Sequence, residues 1–150
     1  NEMFDILNKI SSEIPNAVTP QRMNYLATAI FNSCAPKNFN YSLYTVLLSS
    51  LLSTPDVALV FLGRFKKELK KNGGINYMLD INAVNKIDLS DIDENHSLLS
   101  ETILSICENS GLIFRKQFTD PNDVSRTDFY YKFSITNLGN DLLAYIEDDA

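Results

Sequence analysis

The sequence predicts a mainly α-helical fold that closes with a small β-hairpin and one last helix. Three observations carry that expectation. Apolar residues recur at spacings of three and four through most of the chain, the mark of helices with one buried face. The recurrence stops at Ser110-Gly111, where two extended, aromatic-rich segments flank a stretch of turn-forming residues. Helical spacing then returns for the C-terminal residues. With 150 residues and 45% apolar content, the chain can bury one core, or a core with a small helical appendage.

Met3, Leu7, Ile10 and Ile14 predict a first helix, ended by Pro15-Asn16. Thr19 is suited to cap a second, with Pro20 at its first position and Met23, Leu26, Ala27, Ile30 and Cys34 as one apolar stripe down to Ala35-Pro36. Ser42 opens a third, so rich in Leu43, Leu47, Leu48, Leu51 and Leu52 that it is expected at the centre of the core. A fourth, from Pro55 to Asn72, turns Val57, Phe61, Leu62, Phe65 and Leu69 inward and its basic residues outward before Gly73-Gly74. A short helix is expected near Ile75 to Val84, and the acidic stretch Asp88 to Asn95 reads as an exposed connection. Leu98, Leu99, Thr102, Ile103, Ile106 and Cys107 define the next helix. Leu112 to Phe118 and Phe129 to Thr136 form the hairpin, with Phe114, Phe118, Phe129, Tyr131 and Phe133 expected mostly on its core-facing side. Asn137-Leu138-Gly139 leads into a last helix over Asn140 to Glu147.

The order helix, helix, helix, hairpin, helix is that of a winged helix-turn-helix. In its motifs the chain resembles the C-terminal part of the family formed by the large subunit of the origin recognition complex and its yeast silencing paralogue. The resemblance lies in Thr19 to Ser33 as the last helix of an ATPase (AAA+) lid, the leucine-rich Ser42 to Ser53, and the long helix Val57 to Gly73. It extends to Leu99-Ser100-Glu101-Thr102 opening a recognition helix and to Asp141-Leu142-Leu143-Ala144-Tyr145-Ile146 at the close. It covers nearly the full chain and implies a lid-like helical extension over 1–36, followed by a winged-helix domain over 37–150. It also implies a nuclear, chromatin-associated role. For the silencing member it implies homodimerisation that supports spreading along chromatin, with other silencing proteins as partners of the full-length chain.

No Gly-rich loop ending in Lys-Ser or Lys-Thr occurs, so no nucleotide cofactor is expected. The lone histidine, His96, and the distant Cys34 and Cys107 offer no zinc spacing and no nucleophile with a base, so no enzyme is expected. Both cysteines lie among aliphatic residues and are expected to be buried, reduced thiols. No secretory signal is visible, and Ser49, Ser50, Ser53, Pro55 and Asp56 interrupt the most apolar stretch, so no membrane span is expected.

The net charge of −6 divides unevenly. Residues 1–75 carry eight basic and five acidic side chains, net +3; residues 76–150 carry five basic and fourteen acidic, net −9. The recognition-type helix lies in the acidic half, and its outward positions, Ser97, Ser100, Glu101, Ser105, Glu108 and Asn109, include no Lys or Arg. Direct sequence-specific DNA binding is therefore not expected, because phosphate affinity comes from cations. Aromatic residues in excess of what a small core absorbs, Phe39, Tyr41, Tyr44 and Tyr130, point to a protein interface and self-association. The alternative is a DNA-binding module that uses Arg64, Lys66, Lys67, Lys70 and Lys71 on the fourth helix with Arg115, Lys116, Arg126 and Lys132 on the hairpin. A third reading is a prokaryotic winged-helix regulator whose likeness to the nuclear family is confined to the fold.

Overall fold

The computed structural model describes residues 2–34, 40–73, 77–92, 99–120, 122 and 129–147. It is mostly helical, with a small three-stranded antiparallel sheet. Two compact units divide the chain: Asn1–Asp56 with Asn140–Ala150, and Val57–Gly139.

In the first unit, α1 (Glu2–Glu13) ends in a 3-10 turn, Ile14–Asn16, that places Pro15 where its missing N–H costs nothing. Thr19 caps α2 (Pro20–Ser33) by accepting from the Arg22 amide at 3.0 Å, and Asn40 caps α3 (Tyr41–Ser53) by accepting from the Leu43 amide at 3.1 Å. Arg22 ties the start of α2 to the end of α3. Its guanidinium donates to the Leu51 and Thr54 carbonyls at 2.7 and 2.6 Å and pairs with Asp56 at 2.7 Å, so carbonyls left unpaired at the end of α3 gain a charged donor. Ile6, Ile10, Leu26, Ala29, Leu47, Leu48, Leu51, Leu142 and Leu143 are buried.

The stripe expected inward on α2 is turned. Tyr25, Leu26, Ala29 and Ser33 are buried, whereas Met23, Ala27 and Cys34 are exposed and Ile30 is half-buried. The reason lies in polar partners that hydropathy does not register. The Ser33 hydroxyl lies 2.7 Å from the Tyr145 hydroxyl, and the Asn32 amide donates to the Tyr145 carbonyl at 2.8 Å. Cys34 is thus not the buried thiol its neighbours suggested. Helix α3 is also less central than expected, since Leu43 and Val46 face solvent.

In the second unit the apolar centre is α4 (Asp56–Lys71), where Ala58, Leu59, Phe61, Leu62, Phe65 and Leu69 are buried. A two-residue strand not expected from the sequence, β1 (Leu79–Asp80), passes directly into α5 (Ile81–Asn85). The Asp80 carboxylate caps α5 by accepting from the Ala83 amide at 2.8 Å. Helix α6 (Leu99–Asn109) stops at Gly111, whose φ of +75° suits a residue without Cβ. Strands β2 (Ile113–Thr119) and β3 (Phe129–Ile135) form the hairpin, and β1 pairs with β3 on its other side, giving the order β1-β3-β2. Cys107 is buried on the inner side of α6, its thiol 3.6 Å from the Ala58 carbonyl, and burial pushes that thiol up to about 12.

Helix α7 (Asn137–Ile146) begins three residues before the expected start. The Thr136 hydroxyl accepts from the Gly139 amide at 2.9 Å and donates to the Gly111 carbonyl at 2.6 Å, so it caps α7 and holds the turn after α6. Gly139 is a packing residue of the first turn, not a lead-in. A methyl group there would overlap the Leu112 carbonyl oxygen and come within 2.8 Å of the Ile135 side chain.

Candidate interaction surface

Register decides which hairpin side chains share a face, because directly paired residues point the same way. Arg115 pairs with Phe133, Gln117 with Tyr131 and Thr119 with Phe129; Phe114 pairs with Ser134, Lys116 with Lys132 and Phe118 with Tyr130. Phe114 and Phe118 therefore lie on the face of Tyr130, opposite Phe129, Tyr131 and Phe133, contrary to the expected grouping. Neither face is fully covered. Phe114, Phe129, Tyr130 and Tyr131 are all exposed, and only Phe133 of the expected core aromatics is buried.

On the Tyr130 face, the Tyr130 and Phe118 rings stack at 5.4 Å, and the Lys116 and Lys132 ammonium groups stand 5.5 and 5.7 Å from the Phe118 centroid. On the other face, Arg115 grips Glu108 of α6 through Nε and Nη2 at 2.6 and 2.7 Å. Its guanidinium carbon lies 5.1 Å from the Tyr131 ring and 5.5 Å from the Phe133 ring. The Glu108 hydrogen bond holds the Arg115 proton more tightly than usual. This face, with α5 and α6, bounds a cleft of about 580 Å³ whose apolar walls include Ile81, Leu104 and Phe129. Asp80 and Glu101 stand at its polar side.

The structure sorts the expected interface residues. Tyr41 is 37% exposed at the start of α3. Tyr44 is half-buried and stacked on Tyr145 at 5.3 Å. Tyr130 is 40% exposed despite its stack. Phe39 and Arg126 lie outside the described residues.

The expected phosphate contacts are in part already neutralised. Arg64 holds both carboxylate oxygens of Asp91, at 2.7 and 2.6 Å, and the Asp88 carbonyl; that bond keeps the Asp91 carboxyl below its ordinary range. Lys71 lies 3.5 Å from Glu68, and the shallow surface that Arg64, Lys67, Lys71 and Lys86 share also holds Glu68, Asp88 and Asp91. Lys66, Lys67 and Lys70 make no ion pair among the described residues. The described outward positions of α6, Ser100, Glu101, Thr102, Ser105, Glu108 and Asn109, carry no cation.

Two features escaped sequence reasoning. One is the cleft, whose signal was present in the alternation of Phe129-Tyr130-Tyr131-Lys132-Phe133 against Arg115-Lys116-Gln117 but needed the register to be read. The other is the exposed apolar side of α3: this thirteen-residue helix contains no charged residue and leaves Tyr41, Leu43 and Val46 exposed at 37, 37 and 51%. Among the described residues, no group of three or more His, Cys, Asp or Glu side chains is placed to hold a metal, and no single helix is long and apolar enough to cross a membrane.

Comparison with protein-family models, with curated proteins and with solved structures finds no match to this chain.

Proposed function

We propose that this chain is a winged-helix interaction domain that binds a second copy of itself and works by binding, without catalysis. The winged-helix reading is supported by the succession α4, β1, α5, α6, β2, β3 and by the strand order β1-β3-β2, which puts the short first strand beside the last. The observation that carries self-association is the uncharged helix α3 with Tyr41, Leu43 and Val46 at its surface. Apolar side chains left outside a core, with no charge among them to be desolvated, are the composition of an interface centre. Tyr130 on the hairpin is a second anchor candidate. Joined to the resemblance to the origin-recognition and silencing family, this reading gives a nuclear silencing protein a dimer contact that raises its avidity for chromatin.

A DNA-binding reading stands beside it on one observation, that Lys66, Lys67 and Lys70 of α4 make no ion pair among the described residues. Co-purification of two differently tagged copies separates the two. Recovery of both tags at high salt, lost on Tyr41→Asp or Tyr130→Asp, supports self-association. Recovery that needs added duplex and falls with Lys66→Glu and Lys70→Glu supports DNA binding instead.

A further inference from the structure

We propose that the cleft bounded by α5, α6 and the hairpin receives a lysine- or arginine-bearing segment of a partner polypeptide, with one cationic side chain against the Phe129 and Tyr131 rings and Glu101 as its counter-charge. The cleft's volume of about 580 Å³ falls within the roughly 300–1,000 Å³ of sites that take ligands. Its apolar walls are open to solvent, with Phe129 54%, Tyr131 40% and Ile81 37% exposed.

Charge selects the occupant. Asp80 and Glu101 line the cleft, and Arg115, its one lining cation among the described residues, is already neutralised by the bidentate bond to Glu108. Glu101 is exposed and makes no ion pair among the described residues. An acidic segment would be repelled, and a purely apolar one would strip water from Glu101 without replacing its hydrogen bonds. A cation meets both the carboxylate and the negative faces of the rings.

Arg115 shows this chemistry within the chain itself. Its guanidinium sits against two rings, Tyr131 and Phe133, with a carboxylate fork at its edge. The proposed site offers the same combination one step outward on the same face: Tyr131 again, Phe129 two residues before it on β3, and Glu101 two helical turns before Glu108 on α6. The cleft is lined by no residue of α3, so the inference does not depend on self-association through that helix.

The test is an amide-resonance titration of the protein with acetyl-Gly-Arg-Gly-amide and with the citrulline peptide of equal shape and no charge. The expected result is saturable shifts at Glu101, Leu104, Phe129 and Tyr131, with the citrulline peptide about tenfold weaker because it loses both the cation–π and the ion-pair contribution. Glu101→Gln, an exposed change that leaves the fold intact, should weaken the arginine peptide about threefold and leave the citrulline peptide unaffected. Equal binding of the two peptides, shifts spread over acidic residues outside the cleft such as Asp141, no saturation, or no response to Glu101→Gln would each overturn the proposal.

Discussion

Replacing Val46 with aspartate places a charge on the surface proposed to self-associate. Val46 is 51% exposed in the isolated chain, so about half of its side chain remains to be buried by a partner. Full burial of a valine is worth roughly 2 kcal/mol, which makes the remaining half worth about 1 kcal/mol per copy. In a two-fold symmetric dimer the contribution counts twice, so the substitution removes about 2 kcal/mol before any cost of desolvating the new carboxylate. The dimer dissociation constant should then rise at least about 30-fold. The half already covered in the monomer is lost as well, so the monomer should be destabilised by up to about 1 kcal/mol. The assay is dilution calorimetry on the wild-type and Val46→Asp proteins, with thermal melts confirming that both are folded. An unchanged dissociation constant in a variant that still melts cooperatively would refute the assignment of α3 to the interface.

Gly139→Ala should destabilise the protein by about 1–3 kcal/mol, read by denaturant melts, because the clash with the Leu112 carbonyl and Ile135 outweighs the better helix propensity of alanine. Thr136→Val keeps the shape but removes the cap on α7 and the bond to the Gly111 carbonyl, and should cost about 1–2 kcal/mol in the same measurement. Under native conditions a disulfide reagent should titrate one thiol, Cys34, and reach Cys107 only after unfolding. Cys107 is buried and its thiol is pushed up to about 12, so raising the pH to 9 should not expose it to the reagent. Two fast-reacting thiols in the folded protein would contradict that.

What could be read from the sequence was local. Thr19-Pro20 and the Gly111 stop mark helix ends through chemistry confined to a few residues, and α2 begins and α6 ends close to where those signals lie. What could not be read depended on partners distant in sequence. The face of α2 is chosen by Ser33 meeting Tyr145 and by Asn32 meeting the Tyr145 carbonyl, contacts across more than a hundred residues. Strand β1 is only two residues long and exists through its pairing with Phe133 and Lys132. Gly139 looked like a break because glycine weakens a helix interior, yet close approach to Leu112 requires it there. The aromatic residues of the hairpin were visible as a set, but a direct pairing of Phe118 with Tyr130 is needed to sort them into faces. The residues proposed for an interface meet the same limit: nothing near Tyr44 in sequence announces the ring of Tyr145, whereas the absence of charge across α3 is plain in the sequence.

Sedimentation equilibrium of the protein over micromolar concentrations, at low and high salt and with and without a short DNA duplex, tests self-association most directly. The expected result is a dimer that persists at high salt and is indifferent to the duplex. A monomer at every concentration that joins the duplex at low salt and leaves it at high salt would contradict it.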